Sequence, residues 1–245
     1  MAYEEIIIGN ARLIHGDCRE VLPGLPQFDL ILTDPPYGIG ESSRKNATRG
    51  KPFGSRVDAK NTRGTYVPPT DYGYYEWDES PVEPNTMAAA IAAATQSIVW
   101  GGNFFGLPAS PKWLVWDKIN SGDFADCEIA WTNLSGAVRI FRHMWNGMLR
   151  DSERQSPRVH PTQKPVALMA WCLSFAPDAQ TVLDPFSGSG TTGVACAQLG
   201  KSFTGIERER KYFDIAVERI SRAQAQGQMF PDEPAPALKQ VALEL

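Results

Sequence analysis

Long apolar runs are missing from this chain. The longest, Met87 to Ala94 and Val166 to Leu173, hold eight residues each. A helix that crosses a bilayer needs about 20, so no membrane span is expected. Cysteine and histidine are scarce and scattered: Cys18, Cys127, Cys172 and Cys196, with His15, His143 and His160, form no C-x-x-C or H-x-x-x-H pair. That spacing argues against a disulfide framework and against a zinc site. The start, Met-Ala-Tyr-Glu-Glu, is acidic where a secretory signal would be basic, and the expected compartment is the cytoplasm. Repeats and heptads are also lacking. What remains is an ordinary globular composition, 42% hydrophobic and 21% charged over 245 residues, a length that suits one large α/β domain.

A net charge of −4 argues at face value against a polyanionic partner, but the charge is unevenly placed. Between Ser42 and Arg63, seven basic residues (Arg44, Lys45, Arg49, Lys51, Arg56, Lys60, Arg63) meet one acid, Asp58. Between Arg139 and Lys164, six basic residues meet two acids. Two basic islands on an acidic body are the pattern of a protein that turns one face to phosphate.

Short apolar stretches, each closed by turn residues and followed by helical patterns, give an α/β reading. Strands are expected at Ala11–His15, Asp29–Thr33, Ser97–Trp100, Trp113–Trp116, Glu128–Trp131, Thr181–Leu183 and Ser202–Ile206. Asn85 or Thr86 can cap an alanine-rich helix to about Gln96. Pro165 can open a helix that Pro177 stops, and Thr191–Leu199 ends at Gly200. A last helix, Arg210 to about Gln226, carries Phe213, Ala216, Val217 and Ile220 on one face. Residues 1–226 then form one domain, and 227–245, with three prolines, a loosely ordered tail. Residues 39–80, rich in Gly, Pro, Arg and Tyr, make a loop longer than a connection requires.

Two motifs carry chemistry. The first, Thr181-Val-Leu-Asp-Pro-Phe-Ser-Gly-Ser-Gly-Thr-Thr-Gly193, is a strand running into glycines at a helix start. Gly188, Gly190 and Gly193 match G-x-G-x-x-G, and Glu207 closes the next strand where an acid can take ribose hydroxyls. A dinucleotide site is one reading. Against it, Asp184 stands just before the glycines, where it would face a pyrophosphate badly and a cationic amine well. The second motif, Asp34-Pro35-Pro36-Tyr37, ends the apolar strand Phe28–Thr33. An exocyclic amino nitrogen is a poor nucleophile, and a site frees its lone pair by accepting hydrogen bonds from its N–H groups. The Asp34 carboxylate and the Pro35 carbonyl can do so, the two prolines stiffen the backbone, and Tyr37 offers a ring for an extruded base.

Together these stretches resemble the S-adenosylmethionine-dependent DNA amino-methyltransferases of the adenine-N6 type. Catalytic motif first and glycine motif last is similar to the permuted, beta-class order. The resemblance covers most of the chain and implies a Rossmann-like seven-stranded, mostly parallel sheet with helices on both faces. It implies catalytic roles for Asp34, Pro35, Pro36 and Tyr37. It also implies S-adenosylmethionine contacts at Asp17 (to the adenine amino group), Cys18, Asp34, Thr162, Gln163, Lys164 (to the methionine carboxylate), Asp184, Phe186, Ser187, Gly188, Ser189, Gly190, Thr191, Thr192 and Glu207. No metal is implied. Ile98–Phe104, Trp113–Lys118 and Glu128–Trp131 are similar to the family's later strands.

Duplex DNA is the implied partner, and a homodimer is common in the family. Arg44, Lys45, Arg49, Lys51, Arg56, Lys60, Arg63, Arg139 and Arg142 are the expected DNA contacts, with His143, Arg150, Arg154 and Arg158 as further phosphate candidates. The interval 133–159 is short for a recognition segment, so sequence reading is expected to be relaxed or moved onto the loop 39–80. Cytosine-N4 transfer, an RNA or single-stranded substrate, a dehydrogenase and a silent nucleic-acid binder stay open as alternatives.

Overall fold

The computed structural model describes residues 3–38, 80–119, 125–145, 150–153, 159 and 163–229. Among these residues, nine strands form one sheet. In chain order they are β1 (Glu4–Ile8), β2 (Ala11–His15), β3 (Phe28–Thr33), β4 (Ala94–Trp100), β5 (Trp113–Asp117), β6 (Cys127–Thr132), β7 (Arg139–Arg142), β8 (Thr181–Asp184) and β9 (Ser202–Glu207). Their spatial order is β1-β2-β9-β8-β3-β4-β6-β5-β7. All seven expected strands are present. The expected count of seven is corrected to nine, because β1 pairs antiparallel with β2 at one edge and β7 pairs parallel with β5 at the other.

The helices are α1 (Cys18–Val21), α2 (Pro84–Ala92), α3 (Val166–Leu173), α4 (Thr191–Gln198) and α5 (Arg210–Met229). None of the described helices is long and apolar enough to cross a membrane. Helix α2 stops four residues short of the expected Gln96, since Ala94 and Gln96 pair with Phe28 and Leu30 of β3. Sheet pairing there outweighs the helix propensity of alanine. Helix α5 runs to Met229, into the segment expected to be loose.

The central strands are apolar almost throughout, as strands covered on both faces must be. Successive residues feed opposite layers. Leu13, Leu30, Leu32 and Val182 join a core with Leu168, Met169, Cys172, Val194, Ala195, Phe213 and Ile220 of α3, α4 and α5. Ile14, Ile31, Leu183 and Ile206 join one with Cys18, Val21 and Ala90 of α1 and α2. Gly193 lets α5 approach: a Cβ there would lie 2.4 Å from Ile220 Cδ1 and 2.7 Å from Phe203 Cε1.

Strands β2, β9, β8, β3 and β4 are mutually parallel. Their carboxyl ends therefore share one edge, where ligands of open α/β sheets bind. His15, Glu207, Asp184, Thr33 and Trp100 end these strands. Strand β6 runs antiparallel to β4, so its first residues, Cys127 and Glu128, reach the same edge. All four cysteines are free, and no metal-binding cluster occurs among the described residues.

Candidate active site

Asp34 follows β3 directly and lies between Tyr37 and Lys164. The Tyr37 hydroxyl donates a short hydrogen bond to Asp34 Oδ1, and Lys164 Nζ donates to Oδ2 at 2.6 Å and to the Tyr37 hydroxyl at 3.3 Å. Lys164 is 5% exposed and is also paired with Glu128, 2.9 Å from its Oε2. Glu128 in turn holds Lys118. Two acids and two bases thus make a neutral chain, Asp34–Lys164–Glu128–Lys118. This differs from the implied role of Lys164 as a partner for the cofactor's carboxylate: two acids from β3 and β6 already hold its ammonium.

Burial pushes the Asp34 carboxyl up from the ordinary carboxylate range; Lys164 opposes that shift and Glu128 reinforces it. For Glu128, burial acts in the same upward sense, but Lys164 and Lys118 outweigh it and bring the carboxyl down to about 2. Burial works against the Lys164 ammonium, yet Asp34 and Glu128 raise it above the ordinary lysine value. Each of the three therefore faces a partner of opposite sign in a buried setting.

Tyr37 is fixed from several sides. Its ring stacks on Phe104 with centroids 5.1 Å apart and planes at 17°, and meets the edge of Phe105. Gly101, at φ +65°, lies beneath it, and a Cβ there would come within 2.1 Å of the ring. Phe104 keeps 44% of its surface exposed and covers a ring face that the sequence reading reserved for a base. The Pro36 carbonyl accepts from Val82 N–H at 3.4 Å, and Tyr37 bridges to Pro81. The described residues that precede and follow 39–79 therefore meet beside Asp34.

The glycine turn lies on the neighbouring strand ends. Asp184, 3% exposed, accepts from Thr33 Oγ1 at 2.7 Å and from Phe186 N–H at 3.2 Å. Burial lifts its carboxyl to about 6, against hydrogen bonds from Thr33 and Thr192. Glu207 accepts from Gly188 N–H and Glu209 N–H, each at 2.7 Å, and burial raises it to about 7. Gly188 and Gly190 take φ of +52° and +77°, the left-handed region that favours glycine. Ser189 and Thr191 are tied to Arg219 of α5, whose guanidinium donates to Ser189 O at 2.6 Å and Thr191 Oγ1 at 3.2 Å. Ser187 Oγ is buried with no hydrogen-bond partner among the described residues.

Asp17 stands at the end of the next strand, where Gly16 N–H donates to Glu207 O. Its carboxylate caps α1 and is held by Arg19, which keeps it below the usual range. Cys18 is buried beside it, and burial raises its thiol to about 11. Gln163 is buried and accepts from Val159 N–H; Thr162 lies outside the described residues.

The structure thus brings together Asp34, Pro35, Pro36, Tyr37 and Lys164, with the set from Asp184 to Thr192 and Glu207 alongside. The expected DNA contacts are less gathered. Arg139 and Arg142 lie on the edge strand β7, both exposed, with Arg142 paired to Asp117 at 3.2 Å. His143 and Arg150, each 8% exposed, are corrected as phosphate contacts: His143 meets Ser152 Oγ at 2.9 Å and Arg150 packs on Trp145. Arg44, Lys45, Arg49, Lys51, Arg56, Lys60, Arg63, Arg154 and Arg158 lie outside the described residues. Sequence reasoning assigned no role to Glu128, Lys118, Phe104 or Arg219. Only the position of Glu128 at the start of a strand hinted at the site.

Residues 109–218 match the N6_N4_Mtase family, DNA methylase. Over that span, which is less than half of its length, the chain is similar to the N6/N4 DNA methylases. The matched span runs from before β5 into α5 and so contains Glu128, Lys164 and the glycine turn, but not Asp34. The type II methyltransferase M.ScaI of Streptomyces caespitosus is 29% identical over 264 residues, spanning 87% of this chain and 82% of that protein. The type II methyltransferase M.HinfI of Haemophilus influenzae is 27% identical over 250 residues, 85% of this chain and 67% of that protein. Among solved structures, the M1.HpyAVI–SAM complex aligns with TM-score 0.53 and 23% identity over 85% of this chain and 99% of that one. The cytosine-N4-specific PvuII DNA methyltransferase gives 0.51 and 14% over 89% and 93%. At these identities the two structures support the methylase-type α/β fold.

Proposed function

We propose that the protein is an S-adenosylmethionine-dependent DNA methyltransferase acting on the exocyclic N6 amino group of adenine, with the permuted motif order of the beta class, in the cytoplasm. The observation that carries the reading is Asp34 at the end of β3, fixed by Tyr37 and Lys164, on the edge that also holds the glycine turn and two buried carboxylates. That turn fits the cofactor. Ser187 Oγ lacks a partner among the described residues, and Asp184 and Glu207 are buried acids whose carboxyls burial holds at about 6 and about 7, acceptors suited to an amine and to hydroxyls. Asp184, Ser187 and Glu207 would hold it, with Asp17 and Cys18 beside them.

When bound, S-adenosylmethionine supplies an activated sulfonium methyl. The chain's own residues prepare the target. Asp34 accepts one amino N–H and the Pro35 carbonyl the other, which frees the nitrogen lone pair. Asp34 then takes the proton that the alkylated nitrogen sheds, a transfer helped by a carboxyl raised through burial. Phe104, stacked on Tyr37 and 44% exposed, presents aromatic surface to the extruded base. In this reading the stretch 39–79, anchored at Tyr37 and Pro81, and the interval 133–159 carry the DNA contacts.

The test is transfer of tritium from labelled S-adenosylmethionine to unmethylated duplex DNA. Label in DNA that disappears in Asp34→Asn, while calorimetric cofactor binding persists, is the expected result. Unlabelled DNA and RNA with wild-type protein would overturn the reading.

A further inference from the structure

We infer that Glu128 is a positioning residue of the proposed methyl-transfer site: it shares the Lys164 ammonium with Asp34, so that Asp34 is oriented without being locked into a single ion pair. The inference rests on the methyltransferase reading of Asp34. Lys164 Nζ lies 2.6 Å from Asp34 Oδ2 and 2.9 Å from Glu128 Oε2, and at 5% exposure it has almost no water to turn to. One buried cation therefore serves two carboxylates that belong to strands far apart in sequence. A carboxylate alone with a buried ammonium would spend its acceptor capacity on that ammonium and would be a poor acceptor for an incoming amine. Dividing the cation leaves Asp34 both aligned and receptive. Lys118, on the far side of Glu128, returns the group to neutrality.

Among the described residues, four groups face Asp34. Lys164, from the segment before α3, favours its ionised form, and the Tyr37 hydroxyl does so from its own segment. Glu128 from β6 opposes ionisation. Asp184 from β8 interacts with it electrostatically across Thr33. Removing the Glu128 charge thus leaves Lys164 to Asp34 alone and makes Asp34 a weaker base.

The test is Glu128→Gln in protein carrying carboxyl-13C aspartate and no cofactor, with the Asp34 signal assigned by its loss in Asp34→Asn. The titration midpoint of Asp34 is expected to fall by about one pH unit or more. In turnover, the acid limb of the kcat profile moves the same way, kcat falls about tenfold and the KM for S-adenosylmethionine stays within about twofold. Lys118→Gln, which removes a cation instead, shifts the Asp34 midpoint upward and gives a second reading should Glu128→Gln fail to fold. An unchanged midpoint and pH limb, with a lowered melting temperature as the only effect, would overturn the inference and leave Glu128 a structural ion pair. Wild-type protein that transfers no methyl would instead overturn the functional reading, and the NMR titration tells the two failures apart.

Discussion

At Asp34, ion pairing and nucleophile activation compete for the same two oxygens. Tyr37 and Lys164 occupy them, and an incoming amine must share or displace the Tyr37 hydroxyl. Asp34→Ala should therefore lower methyl transfer by at least about 100-fold while the cofactor dissociation constant, read by calorimetry, changes less than about threefold. Loss of both together would place Asp34 in the cofactor site instead. Asp184 and Glu207 make a prediction about pH. Burial raises both carboxyls in the folded state, to about 6 and about 7, so the folded chain binds protons more tightly than the unfolded one. Their contribution to stability is present at low pH and is lost as pH rises through those values. For Asp184 that contribution is about 2–3 kcal/mol. Thermal melts of Asp184→Asn should show a smaller decline between pH 4.5 and 7.5 than wild type; parallel declines would contradict the assigned burial effect.

Among the elements, the turn after β4 controls the site from below. Gly101 combines φ +65° with a place for Cβ 2.1 Å from the Tyr37 ring. Gly101→Ala should push Tyr37 off Asp34 and lower kcat about tenfold or more, with a stability loss of about 1–3 kcal/mol from overpacking. A variant that loses stability but keeps kcat would show that Tyr37 need not sit where it does. The central strands were legible because they hold short apolar runs such as Leu30–Leu32 and lead into chemistry-bearing residues. Edge strands were not. In β7 three of four residues are exposed and both ends are arginine, and in β1 Ile7 is 71% exposed, so the few residues that pack on the core, Phe141 in β7 and Ile6 and Ile8 in β1, give no clear alternation to read. Helix α2 was overrun because alanine propensity says nothing about the β3 pairing that claims Ala94. Asp34 and the glycine turn could be read from local motifs. Glu128 could not, since it meets Lys164 only through the antiparallel placement of β6.

For the whole molecule, the sheet joins the chain's beginning to its end through β2 and β9, which sets Asp17 and Glu207 on adjoining strand ends. The acidic body and its two basic islands give the proposed DNA contact a salt signature. Replacing Arg44, Lys45, Arg49 and Lys51 by glutamine should weaken duplex binding and lower the slope of log affinity against log salt by about 0.9 for each phosphate no longer neutralised, with cofactor binding untouched. An unchanged slope would move the DNA-binding face elsewhere, to surfaces such as β7.

The central claim is the base that Asp34 prepares. Its most direct test is nucleoside digestion and mass spectrometry of unmethylated genomic DNA after incubation with the protein and S-adenosylmethionine. N6-methyladenine is the predicted product; N4-methylcytosine would contradict the adenine assignment while keeping the fold and the amine chemistry, and no methylated base at all would contradict the account.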